Sequence, residues 1–96
     1  MALTIVKGAC YKITGTTTSS AEITSGLTFV RSVLYIPSDA AHLVNLIDAD
    51  GGPIINLVGD STGDSSPNTQ QWDVGQSFFG IYSDDFDGGT LYIYTR

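Results

Sequence analysis

Cysteine occurs once, at Cys10, so the chain cannot cross-link itself, and the disulfide framework of a small secreted domain is excluded. Basic residues are almost as scarce. Lys7, Lys12, Arg31 and Arg96 stand against ten acids, leaving a net charge of −6. No basic stripe exists, and a surplus of negative charge repels phosphate backbones, so nucleic acid is not an expected partner. Glutamate is nearly absent: Glu22 is alone and the other nine acids are aspartates. Aspartate disfavours helix and strand interiors and favours turns, which argues for a turn-rich β protein. No apolar run approaches the roughly 20 residues of a membrane span, so no membrane partner is expected. The opening Met1–Lys7 holds neither a basic leader nor an apolar run of signal length. The expectation is a protein made and kept in a cytoplasm, or released from one by lysis.

Catalytic residue types are thin as well. His42 is the sole histidine, just after Asp39-Ala40-Ala41, and no local motif announces a Ser-His-Asp set. The plainer reading is a turn or surface histidine. Cys10 reads as a small apolar packing group rather than a reactive thiol. The chain is therefore read as a non-enzyme without a cofactor.

What is present is β patterning throughout, with no convincing helical period. Ninety-six residues make one domain, 1–96, able to bury about 60–65% of its unfolded surface around a single core. From Leu3 to Ile13 the odd positions Leu3, Ile5, Ala9, Tyr11 and Ile13 are apolar, while Thr4, Lys12 and Thr14 face away. That alternation predicts a half-buried strand, kinked or bulged at Gly8. The tract 15–20 reads as a Thr/Ser loop and Glu22–Thr24 as a short edge strand. Leu27–Ile36 predicts a strand covered on both faces and closed by Pro37, with Phe29, Val33 and Tyr35 on one side and Val30, Leu34 and Ile36 on the other.

Leu43–Ile47 and Ile54–Val58 predict a hairpin around 48–53. Pairing Asn45 with Asn56 places Val44, Leu46, Ile55 and Leu57 on a common face. The polar tract Asp60–Gln71 reads as a long loop. Phe78–Ser83 and Thr90–Tyr94 predict a final hairpin in which Ile81 pairs with Ile93 and Tyr82 with Tyr92. Phe79, Ile81, Leu91 and Ile93 then point inward and Phe78, Tyr82, Tyr92 and Tyr94 outward, with Tyr94 across Gly80. The total is about seven strands, which predicts an all-β, antiparallel β-sandwich or jelly-roll-like domain, a small open roll being the alternative.

Two groups could carry binding. Asp48-x-Asp50-Gly51 and Asp84-Asp85-x-Asp87-Gly88 resemble fragments of calcium loops, yet both lack the remaining ligands and the closing bidentate Glu. Asp-Gly is also ordinary hairpin-turn chemistry, so no metal is assigned. The aromatic set Phe78, Tyr82, Tyr92 and Tyr94 is the more informative. Tyrosine and phenylalanine bring much buried area to interfaces at small entropic cost. The competing reading makes this face the second side of a sandwich, or covers it with a loop. Trp72, following the polar tract, reads as a core plug or as an anchor into a partner.

Three stretches resemble small structural proteins of tailed bacteriophages: Val6-Lys7-Gly8-Ala9-Cys10-Tyr11-Lys12-Ile13-Thr14-Gly15, the Asp-Gly turn at 48–52, and Phe79-Gly80-Ile81-Tyr82 with Gly89-Thr90-Leu91-Tyr92-Ile93-Tyr94. The likeness is one of layout and carries no site residue across. It implies a virion protein that decorates or cements a capsid by protein–protein contacts, with the major capsid protein or another virion protein as partner and self-association open to it. A tail or fibre component is the alternative within the virion. A soluble module binding a carbohydrate or peptide on its tyrosine face is the alternative outside it.

Overall fold

The computed structural model describes residues 3–8, 10–59 and 68–95. Seven strands form among them: β1 (Leu3–Val6), β2 (Cys10–Gly15), β3 (Ala21–Ile36), β4 (Leu43–Ile47), β5 (Pro53–Val58), β6 (Gln70–Phe86) and β7 (Thr90–Thr95). All pairings are antiparallel, in one sheet of order β1-β2-β7-β3-β6-β4-β5. The all-β class and the strand count are those the sequence predicts.

β3 and β6 are the frame. Sixteen and seventeen residues long, they pair along most of their length. The C-terminal half of β3 also pairs with β7, and the C-terminal end of β6 also pairs with β4. The sheet thus has two wings. Wing one is β1, β2, β7, the C-terminal half of β3 and the N-terminal half of β6. Wing two is β4, β5, the C-terminal end of β6 and the N-terminal end of β3. Register shifts at Glu22/Thr24, Thr24/Leu27 and Val30/Ser32 bend the shared strands, since extra residues kink and twist a ladder.

Chain reach brings the wings together. Phe86 ends β6 against Val44 in wing two, and Thr90 begins β7 against Ile36 in wing one. Four Cα steps separate Phe86 from Thr90, at most roughly 14 Å of extended chain, against the ~10 Å spacing of faces packed across a core. A second tie is the bridge Thr17↔Phe86, with backbone bonds of 2.9 Å in both directions. One cluster accordingly unites Ile13, Val33, Tyr35, Leu91 and Ile93 of wing one with Ile23, Val44, Leu46, Leu57, Ile81 and Phe86 of wing two. Tyr35 and Phe86 meet edge to face, centroids 6.5 Å apart, and the Tyr35 hydroxyl donates to the Gly88 carbonyl at 2.7 Å. Gly89 allows the crossing: its φ is +87°, and a Cβ there would lie 2.6 Å from the Ile36 carbonyl oxygen.

Several expectations are corrected. Residues 3–13 are two strands reversing around Gly8, not one kinked strand, although Leu3, Ile5, Tyr11 and Ile13 still turn toward the core. Glu22–Thr24 is the start of the long β3 rather than a separate short strand, and at this end β3 pairs with β6 alone. Val30 joins Val33 and Tyr35 in the core because the bulge at Arg31 shifts the alternation by one. The last two strands do not form a hairpin: β3 lies between them, so Ile93 pairs with Val33 and Tyr11, and Tyr92 with Leu34 and Lys12. Gln70 and Gln71 belong to β6; the preceding 60–67 of the expected loop, like Ala9, lie outside the described residues. The β4–β5 register with Asn45 opposite Asn56 is as expected.

Candidate functional site

The aromatics expected on one face occupy three settings. Tyr92 and Tyr94 stand half-buried on the outer side of wing one, opposite Lys12 and Cys10 on β2 and Leu34 and Ser32 on β3. Tyr82 is on the outer side of wing two, where its hydroxyl donates to Glu22 Oε2 at 3.0 Å. That bond, reinforced by the Glu22 charge, raises the Tyr82 pKa above the usual tyrosine value. Phe78 packs against the core instead of facing out. Trp72 follows the core-facing row Tyr11, Ile93, Val33, yet sits at the margin of the sheet and remains 49% exposed, so it plugs nothing.

The most exposed large apolar residues are ones the sequence placed otherwise. Phe79, expected inward, is 69% exposed, and its cross-strand partner Leu27 is 73% exposed. Gly80 is the cause. At φ +87° it slips the alternation of β6, so Ile81 stays in the core while Phe78 turns in and Phe79 turns out. A side chain at Gly80 would also crowd the Ala49 methyl, 3.2 Å away. At this level β3 pairs with β6 alone, making a two-stranded ribbon between the wings. The Gly-flanked Leu27 and Gly80 were the only cues, and period-two sorting hides them.

Polar chemistry concentrates at the end of β6. Asp84 Oδ1 accepts from Asn45 Nδ2 at 2.8 Å, and Asp87 Oδ2 accepts from the Leu43 amide at 3.0 Å. Asp85 shares a side-chain hydrogen bond with Asp87; that bond, partial burial and the neighbouring Asp87 and Asp84 charges raise its pKa. In the β4–β5 turn, Asp48 Oδ1 accepts from the Asp50 and Gly52 amides at 2.9 and 2.8 Å. Its carboxylate caps a turn. No group of three or more His, Cys, Asp or Glu side chains among the described residues is arranged to hold a metal ion.

His42 Nδ1 lies 3.1 Å from Ser38 Oγ, while Asp39, the nearest acid in sequence, accepts from the Ala41 amide at 2.8 Å. The imidazole packs over Gly88, where a Cβ would approach Cε1 to 2.8 Å. No pocket opens among the described residues. Cys10 is half-buried, with Sγ 3.9 Å from the Tyr11 carbonyl oxygen.

Charge is segregated. The described cations Lys7, Lys12 and Arg31 all belong to wing one or its β1–β2 turn. Glu22, Asp39, Asp48, Asp50, Asp84, Asp85 and Asp87 lie on wing two or the loops beside it, leaving Asp73 as the acid on wing one. Comparison of the chain with protein-family models, with curated proteins and with solved structures returns no match.

Proposed function

We propose that this protein is a non-catalytic structural subunit acting through protein–protein contacts, and that it decorates or cements the capsid of a tailed bacteriophage. Its partner in this reading is the major capsid protein or another protein of the virion. The observation that supports it is the Leu27–Phe79 pair, two large apolar side chains directed into solvent from a short ribbon. Burying such a pair against a partner removes apolar area from water at little ordering cost, because the strands already fix the backbone. A tail or fibre subunit would use the same ribbon.

The test is co-sedimentation of the purified protein with assembled shells. Leu27→Asp and Phe79→Asp should each weaken shell binding at least about tenfold, because a desolvated carboxylate would enter the contact. Their folds should persist, read as cooperative melting, because both side chains are exposed. Unchanged shell binding by both variants would refute the reading. A second reading has its own support in Tyr92 and Tyr94, neighbours on one outer face: a module that stacks a sugar or peptide there. Glycan-dependent tyrosine fluorescence, abolished by Tyr92→Ala, would favour it.

A further inference from the structure

We propose that copies of this chain associate head to tail, the outer face of wing one docking on the outer face of wing two of the next copy. Because the inner faces of both wings enclose a single core, their outer faces point away from each other. The face on wing one presents Val6, Lys12, Tyr92 and Leu34 in one cross-strand row, with Tyr94, Ser32 and Asp73 in the next and Arg31 exposed at the bulge. Val6 is 59% exposed, so the row is apolar at its rim as well as its centre. The face on wing two presents Glu22, Tyr82 and Ile47 in one row, with Asp85, Asn45 and Asn56 in the next. Each surface carries tyrosine beside charge, and the charge is mainly cationic on wing one, with Lys12 and Arg31 beside the single Asp73, and anionic on wing two, with Glu22 and Asp85.

That pairing selects both the partner and the mode. Two copies meeting through the same face would bring mostly like charges together, Lys12 and Arg31 in one case and Glu22, Asp84 and Asp85 in the other, and like charges juxtaposed at a contact are costly. Meeting through different faces sets cations against carboxylates. A heterologous contact of this kind leaves one free face at each end, so it propagates into a ring or an open row. The contact is independent of the ribbon and of the capsid reading, and it holds or fails without them.

Sedimentation velocity on the full chain, over a concentration series at low and high salt, reads the association directly. The expected result is a weight-average mass that grows with concentration beyond a dimer and falls as salt is raised, because screening shortens to a few ångströms at molar salt. Lys12→Glu with Arg31→Glu should abolish growth, and so should Glu22→Lys, an exposed single change that keeps the fold. Mixing those two variants should restore association, because each supplies the face that the other has lost. A wild type that stays monomeric, a dimer that grows no further, or variants that associate as the wild type does would each overturn the proposal. Shell co-sedimentation on the same samples separates the readings. Wild type that binds shells but does not self-associate fails this inference alone, whereas self-association without shell binding fails the capsid reading alone.

Discussion

The two wings bury comparable apolar rows but are held by different means. Wing one is broad: β3 pairs with β6 over residues 32–35 and with β7 over 30–36, and β7 pairs in turn with β2. Wing two is narrow, and β4 meets β6 only over 44–47 and 82–86. Side chains extend that short ladder. Asp87 accepts from the Leu43 amide, Asp84 from Asn45, and Ser83 Oγ lies 3.2 and 3.1 Å from the Asn45 and Asp85 carbonyl oxygens. Where the backbone offers fewer mutual bonds, aspartate and serine supply them, and the acidity of wing two follows from that architecture as well as from its turns.

The largest test strikes where the wings meet. Phe86 is fully buried between them, and Phe86→Ala should cost about 3–5 kcal/mol, measured by urea unfolding. A cost below about 1 kcal/mol would mean that the wings do not share a core. Tyr35→Phe probes the same junction more gently. It leaves the Gly88 carbonyl without its buried donor, at about 1–3 kcal/mol. Burial, aided by the Asp87 charge, pushes the Tyr35 pKa up to about 12. A tyrosine raised above its ordinary value of ~10 favours the fold while protonated, so stability should fall as pH rises from about 10 to about 12. Tyr35→Phe should lose that part of the decline; an unaltered profile would place the titration elsewhere.

The smallest effect belongs to Asp85. Its raised pKa means that the folded state holds a proton the unfolded chain releases, so its contribution is present below the ordinary carboxylate value of ~3.9 and is lost as pH rises through the folded value. Asp85→Asn should remove that loss and raise the melting temperature slightly at neutral pH. A lower melting temperature across the whole range would show the carboxylate to be a net clasp rather than a strained neighbour.

Local features of this fold are legible in the residues and nonlocal ones are not. Asn45 opposite Asn56 follows from two short apolar runs around one turn, because a hairpin's register depends only on nearby residues. Ile81, Leu91 and Ile93 are correctly inward because alternation survives whichever strand is the neighbour. Yet alternation is silent about neighbours, so β6 and β7 read as partners although β3 separates them. It also fails wherever an extra residue slips the phase, which is why Phe79 faces out and Val30 faces in. The aromatic face dissolved for the same two reasons: Phe78 changed sides at Gly80, and Tyr82 parted from Tyr92 and Tyr94 once the sheet folded over. The chosen tyrosines still lie on outer surfaces, but on opposite ones.

The position of β7 has a consequence for biosynthesis. Both of its partners, β2 and β3, precede it in the chain, and the edges they turn toward each other stay unpaired until β7 slides between them. During translation every residue before Thr90, more than nine tenths of the sequence, can be made with a slot still open in the sheet. Strand insertion between sequence-distant neighbours is slow, and unpaired edges held open in the meantime invite the wrong strand. Newly made copies are therefore most exposed to mispairing just before Thr90–Thr95 arrives, and shortening that interval should raise soluble yield.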